Sequence, residues 1–238
     1  MGTIIVTGAA SGIGAATAEL LAQQGLSIGC VDTNGPEVQA LAKTLAKATA
    51  STVDVCDEDA CIAAFKDIAE RLGPISGVVH CAGVFDAQPV DAIASAGLAH
   101  VLNVNLLGSL HVARSAARLM DKGGAIVLFS SATAQRAFGA PAYTASKAAV
   151  EALTRECALA WAPRGIRVNA VAPGVIETAM SAVPLSNADV RRMVIAHTPM
   201  QRLGSAEEVA SVCAFLVSAA ASYVTGAVLP VDGGYCIV

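Results

Sequence analysis

Aromatic residues make up only 4% of the chain, and 15 Lys and Arg stand against 19 Asp and Glu. A net charge of -4 leaves no basic surface to compete for a phosphate backbone, so nucleic acid is excluded as an expected partner. So few rings argue against an aromatic-lined binding groove, while abundant alanine suits helices lying close against a sheet. The seven cysteines (Cys30, Cys56, Cys61, Cys81, Cys157, Cys213 and Cys236) are an odd number without a C-x-x-C pair or His clustering. No metal site is therefore expected, and the thiols read as reduced and mostly buried. No apolar stretch reaches bilayer-spanning length without Gly or charge, and the first strand candidate begins at Thr3, too early for a signal segment. The expectation is a cytoplasmic protein without a membrane segment. Linkers, low-complexity stretches and internal repeats are also missing, which leaves small molecules and sister subunits as partners.

What is present is a chain of 238 residues with 55% of them hydrophobic, enough to bury a large core in one α/β domain spanning 1–238. Short β-branched runs occur at Thr3–Val6, Leu26–Val31, Ser51–Val55, Ile75–His80, Ala125–Phe129 and Ile166–Val171. Runs of this length and composition read as buried parallel strands. Between them lie helix-period segments at Ala15–Gln24, Pro36–Lys47, Ala60–Leu72, Leu98–Met120 and Tyr143–Trp161. Strand and helix in alternation predict a Rossmann-type doubly wound parallel sheet with helices on both faces. The long segment without strand character, about 177–203, is the candidate lid over a site.

Thr7-Gly8-Ala9-Ala10-Ser11-Gly12-Ile13-Gly14 follows the first strand and opens the first helix. That is the context of a pyrophosphate-binding turn, in which the helix N-terminus offers unpaired N–H groups to an anion. Asp32 ends the second strand, 18 positions after Gly14, close to the spacing at which a carboxylate accepts hydrogen bonds from an adenosine ribose. It would repel a 2′-phosphate. No Arg or Lys stands at Ala9, Ala10, Thr33 or Asn34 to hold such a phosphate, so NAD is expected rather than NADP. Tyr143 and Lys147 lie four positions apart at the start of a helix, on one face and one turn apart. A nearby ammonium stabilises a phenolate, which would turn a weak base into a useful one.

Thr7-Gly8-x-x-x-Gly12-Ile13-Gly14, Asp54-Val55, Ala82-Gly83, Asn103-Val104-Asn105, Ser130-Ser131, Tyr143-x-x-x-Lys147, Pro173-Gly174 and the closing Val231-Asp232-Gly233-Gly234 occur in this order. Together they resemble the short-chain dehydrogenase/reductase family over nearly the whole chain. The resemblance implies a catalytic tetrad of Asn105, a serine, Tyr143 and Lys147. Tyr143 would exchange a proton with the substrate oxygen while hydride passes to or from the nicotinamide. The serine would hydrogen-bond the same oxygen, and Lys147 would bind the nicotinamide ribose and lower the Tyr143 pKa. Asn105 would hold a water in the proton path; read from its surroundings alone, it is a helix-bending polar residue satisfied by backbone groups. Counting from the strand selects Ser131 as the catalytic serine, whereas counting back from Tyr143 selects Ser130; buried strands slip less readily than loops, which favours Ser131.

The same resemblance implies cofactor contacts from Gly8, Ser11, Gly12, Ile13, Gly14, Asp32, Tyr143 and Lys147. Asp54 and Val55 would meet the adenine, followed by Cys81, Ala82 and Gly83, while Pro173, Gly174, Ile176 and Thr178 would shape the carboxamide pocket. Cys81 stands where the family usually has Asn, which puts the local strand pinning in question. Rival readings are a non-catalytic NAD sensor, and an NAD-using epimerase or dehydratase, whose relatives carry larger C-terminal domains. Met180, Val183, Leu185, Met193 and Ile195 predict an apolar pocket for a secondary alcohol or ketone, and Arg191 and Arg192 either hold an acidic group or are solvated. Small residues along Leu98–Met120 and Tyr143–Trp161, with the family's habits, predict a homotetramer, with a dimer as the alternative.

Overall fold

The β-branched run Thr3–Thr7 forms β1, a strand buried along all five of its residues. A computed structural model describes residues 2–121 and 123–238 and carries the strand–helix alternation through the whole chain. In order, the elements are β1, α1 (Gly12–Gln23), β2 (Ser27–Asp32), α2 (Gly35–Thr44), β3 (Ala48–Thr52), α3 (Glu58–Leu72) and β4 (Ile75–His80). They continue with α4 (Ser95–Leu102), α5 (Gly108–Arg118), β5 (Gly124–Phe129), α6 (Pro141–Trp161), β6 (Ile166–Pro173), α7 (Ala179–Leu185), α8 (Ala188–His197), α9 (Ala206–Val217) and β7 (Val228–Val231). All seven strands are parallel, in the order β3-β2-β1-β4-β5-β6-β7. The chain reverses its direction of travel across the sheet between β1 and β4, and the carboxyl ends there open into the crevice where doubly wound sheets bind ligands.

Side chains alternate between two cores. Ile5, Phe65, Ile126, Leu128 and Val150 pack on the face covered by α3, α5 and α6. Val6, Leu21, Ile28, Val127 and Leu216 pack on the face covered by α1, α2 and α9. Burying side chains of this size contributes roughly 1.5–3 kcal/mol each, and this sets the strand register.

Several parts of the fold add to or differ from the sequence expectation. β3 is Ala48–Thr52 rather than Ser51–Val55, because it pairs in register with β2 from Ile28↔Ala48 to Asp32↔Thr52. Val53 and Val55, whose β-branching suggested strand, are buried just beyond its end. The helix expected at Leu98–Met120 starts at Ser95 and is interrupted by a π-helical turn at Asn103–Leu107. This run of 24 residues is apolar enough by composition to cross a bilayer, yet Val112, Ala113 and Ala116 are in the core and Arg114 pairs with Glu58. The candidate lid, expected to lack strand character, is helical: α7 and α8 fill most of it, with Thr178 and Ser181 forming a capping box and Asn187 capping α8. α9 and β7 were not expected; α9 packs on the sheet and β7 closes it beside β6.

Candidate active site

The turn between β1 and α1 is built for close approach. Gly8 has φ +69°, which an L side chain rarely adopts, and a Cβ on Gly14 would stand 2.0 Å from the Gly8 carbonyl oxygen. Ser11 precedes α1 without capping it through its side chain, so the first N–H groups of the helix stay available to an anion. Across the cleft, Asp32 is held rigidly: Oδ2 accepts from Ala10 N at 2.9 Å and Oδ1 from Asn34 N at 2.9 Å. A cavity of about 450 Å³ runs along this turn and brings together Gly8, Ser11, Gly12, Ile13, Gly14, Asp32, Asp54, Val55, Ala82 and Gly83. Missing side chains, free amides and a fixed carboxylate suit a dinucleotide.

Ile13, Cys81, Gly83 and Thr178 also line a second cavity of about 200 Å³, together with Ser131, Tyr143, Lys147, Pro173, Gly174 and Ile176. Every cofactor and catalytic residue expected from the sequence therefore borders one of two adjoining cavities, except Asn105, which lies buried behind them.

Pro141 opens α6 at a position where its missing N–H costs nothing. Tyr143 and Lys147 then fall on the face turned to the sheet, with Lys147 Nζ 5.6 Å from the centre of the Tyr143 ring. Lys147 Nζ donates to the Phe129 carbonyl at 2.9 Å, and burial pulls its pKa down to about 8. Burial raises the Tyr143 phenol above its ordinary range, the reverse of the lowering expected from Lys147, and the nearby Ser131 hydroxyl works against that rise. Phe85 meets the Tyr143 ring edge-on, with centroids 5.0 Å apart, and fixes its plane.

The two serines are oriented differently. Ser131 Oγ faces Tyr143 and accepts from Thr133 N and Thr133 Oγ1 at 3.3 and 3.1 Å. Ser130 Oγ is turned to α6, donating to Glu151 Oε1 at 2.9 Å and lying 3.3 Å from the Lys147 carbonyl.

Asn105 sits in the π-helical turn. Its Oδ1 accepts from Val84 N at 2.8 Å, and its Nδ2 donates to Val84 O and Ser146 Oγ, each at 3.0 Å. Ser146 Oγ donates in turn to the Tyr143 carbonyl at 2.7 Å, so Asn105 ties the loop after β4 to the catalytic helix. Its side chain has backbone partners, as the plainer reading expected, and it still stands beside the site. A Cβ on Gly83 would lie 3.1 Å from Asn105 Oδ1 and 3.4 Å from Lys147 Nζ.

The strand pinning put in question by Cys81 is supplied next door. His80 Nδ1 and Thr7 Oγ1 are 2.7 Å apart and join the carboxyl ends of β4 and β1. Burial drives the His80 pKa down to about 3 and the Cys81 thiol well above its usual value, so both are neutral at pH 7. A thiol held protonated is a poor nucleophile, which leaves Cys81 as a small packed side chain.

In the lid, Met180 and Leu185 line the second cavity as expected, but Val183, Met193 and Ile195 do not. Val183 and Met193 are exposed, and Pro184, Val190 and Val194 take their place because they lie on the inward faces of α7 and α8. Arg191 pairs with Glu177 and Arg192 with Asp189, all four side chains being exposed and outside the cavity. Sequence reasoning missed Thr133, Ser146, Phe85 and Tyr235. Ser146 was findable, since it shares the helix face of Tyr143 and Lys147; Phe85 and Tyr235 arrive from distant segments and leave no local pattern.

Residues 8–236 match the family model described as enoyl-(acyl carrier protein) reductase. The chain is similar to the cis-4-hydroxycyclohexanecarboxylate dehydrogenase of Sinomonas cyclohexanicum, 40% identical over 242 residues that cover 98% of this chain and 96% of that one. It is similar to galactitol 2-dehydrogenase (L-tagatose-forming) of Cereibacter sphaeroides, 37% identical over 239 residues and covering 98% and 94% of the two chains. Among solved structures, a short-chain type dehydrogenase/reductase from Mycobacterium ulcerans superposes with a TM-score of 0.96 at 32% identity, over 99% of this chain and 90% of that one. With a dinucleotide cleft, a Ser-Tyr-Lys constellation and relatives matched over almost the full length, this chain belongs to the short-chain dehydrogenase/reductase family.

Proposed function

We propose that this protein is an NAD-dependent oxidoreductase that interconverts a secondary alcohol and its ketone, with Tyr143 as the general acid/base. One observation carries the reading: Ser131, Tyr143 and Lys147 converge on a cavity that adjoins the Gly8–Gly14 cleft and its Asp32 carboxylate. When bound, the nicotinamide supplies the hydride acceptor or donor.

The chain's own residues do the rest. Asp32, held by Ala10 N and Asn34 N, is available to the adenosine ribose and repels a 2′-phosphate, which supports NAD over NADP. Ser131, oriented by Thr133, hydrogen-bonds the substrate oxygen where negative charge develops. Tyr143 takes the hydroxyl proton from the alcohol or returns it to the ketone. Lys147 stays largely protonated below pH 8, and an ammonium near the ring favours the phenolate. Asn105 and Ser146 brace the loop and helix that carry these groups.

The test is Tyr143→Phe, which keeps the ring and its contact with Phe85. NAD affinity should be retained while alcohol oxidation falls by roughly 10²-fold or more, the usual contribution of a positioned acid or base. A variant that keeps most of its turnover would show that another group handles the proton. Tight NAD binding with no turnover of any alcohol by the parent protein would support the sensor reading instead.

A further inference from the structure

Beyond the reacting groups, the second cavity is walled by Phe85, Phe138, Met180, Leu185, Val194 and Tyr235, drawn from four separate segments. Among the described residues that line it, the only charged side chain is Lys147, whose ammonium is bound to the Phe129 carbonyl. Two of the uncharged donors in the wall are engaged as well, which leaves the Tyr235 and Thr178 hydroxyls beside the reacting groups. Thr133 Oγ1 donates to Ser131, and Ser181 Oγ is occupied by the Ile176 and Thr178 carbonyls at 2.6 and 3.0 Å.

Three arginines stand around this cavity without lining it, and each has partners elsewhere. Arg136 lies 5.3 Å from the centre of the Tyr235 ring, donates to the Tyr235 and Val238 backbone oxygens at 3.2 and 2.6 Å, and meets His197 Nε2. Arg191 is paired with Glu177 and Arg192 with Asp189. An anion entering the cavity would lose its hydration and find no free cation, and extra hydroxyls would find few free partners. The amide-bearing arm of a carrier thioester would have to cross the same apolar wall, where its N–H and C=O groups find few free partners.

We infer that the substrate of this site is a small uncharged alcohol or ketone with a hydrocarbon body, a single ring or a short chain, and that carboxylated, polyhydroxylated and carrier-bound analogues are rejected. The inference rests on the oxidoreductase reading above and narrows it. The volume agrees, since the nicotinamide would take the part of this cavity bounded by Pro173, Gly174, Ile176 and Thr178, and what is left of about 200 Å³ holds no more than a small body.

The experiment compares kcat/KM of the full chain with NAD for cyclohexanol, cis-4-hydroxycyclohexanecarboxylate and galactitol, and with NADH for cyclohexanone and acetoacetyl-CoA. The neutral ring compound should exceed its charged, polyol or thioester counterpart by about 10²-fold or more, because the rejected groups would be left unpaired. In parallel, calorimetric titration of the NADH complex should show cyclohexanol binding and cyclohexanecarboxylate not binding. Met180→Arg, at a half-exposed position in the wall, should raise kcat/KM for the carboxylate by about tenfold or more by supplying the missing partner. Turnover of the carboxylate, polyol or thioester within tenfold of the neutral compound overturns the inference and leaves the oxidoreductase reading intact. Selective binding of cyclohexanol without turnover of any alcohol does the reverse. Equal binding of the two calorimetric ligands, or of neither, also overturns it, as does a folded Met180→Arg protein that gains nothing on the carboxylate.

Discussion

Lys147→Met exchanges a buried ammonium for a thioether of similar length and so separates the cost of the charge from its use. Burial lowers the Lys147 pKa from 10.5 to about 8. That gap corresponds to about 3 kcal/mol of destabilisation whenever the lysine is protonated in both folded and unfolded chains. The sign follows from proton binding. Between pH 8 and 10.5 the unfolded chain holds the proton more tightly, so stability rises with pH across that window, and below pH 8 the full cost is present. The variant loses the hydrogen bond to the Phe129 carbonyl, worth about 1 kcal/mol. At pH 7 it should therefore be more stable than the parent by about 2 kcal/mol, and by pH 10.5 the advantage should vanish or reverse. Burial holds the Cys30, Cys61 and Cys213 thiols up to about 12, so they lower the stability of both proteins as pH rises past their ordinary value, and this common loss cancels in the difference between variant and parent. Urea unfolding followed by circular dichroism at both pH values and one protein concentration measures the difference. NAD affinity and turnover should fall in the same variant, since stability and function pull this site in opposite directions. A variant destabilised equally at both pH values would refute the idea that the site stores the cost of a buried cation.

Three further outcomes are expected. Asp32→Ala should shift the kcat/KM ratio of NAD to NADP toward NADP by about tenfold, from one to two kcal/mol of screened repulsion; an unchanged ratio removes Asp32 from the cofactor assignment. Ser131→Ala should lower turnover by at least about tenfold more than Ser130→Ala, given which hydroxyl faces Tyr143, and equal losses would mean that the orientation is not what matters. The homotetramer expected from the sequence remains a proposal, to which the exposed Leu107 and Leu159 near and on the two long helices add apolar surface; a monomeric mass by light scattering at micromolar protein would end it.

The sequence by itself determined the features that depend on neighbours a few residues away. Strand–helix alternation, the glycine turn between β1 and α1, and the shared helix face of Tyr143 and Lys147 are local patterns, and each appears in the structure where the spacing put it. Tertiary structure decided whatever depends on a distant partner. β3 took its register from β2 rather than from its own valines, because ladder pairing outweighs β-propensity. The orientations of Ser130 and Ser131 depend on Glu151 and Thr133, a helix and a loop that no counting of positions compares. Asn105 reads as an oddity in an apolar helix until Val84 and Ser146 come up against it. The roles of the arginines were likewise open, since a charge in a sequence does not reveal its partner. Asp189 stands one turn before Arg192 on α8 and was within local reach, but only the folded chain brings Glu177 and the Val238 backbone oxygen to Arg191 and Arg136.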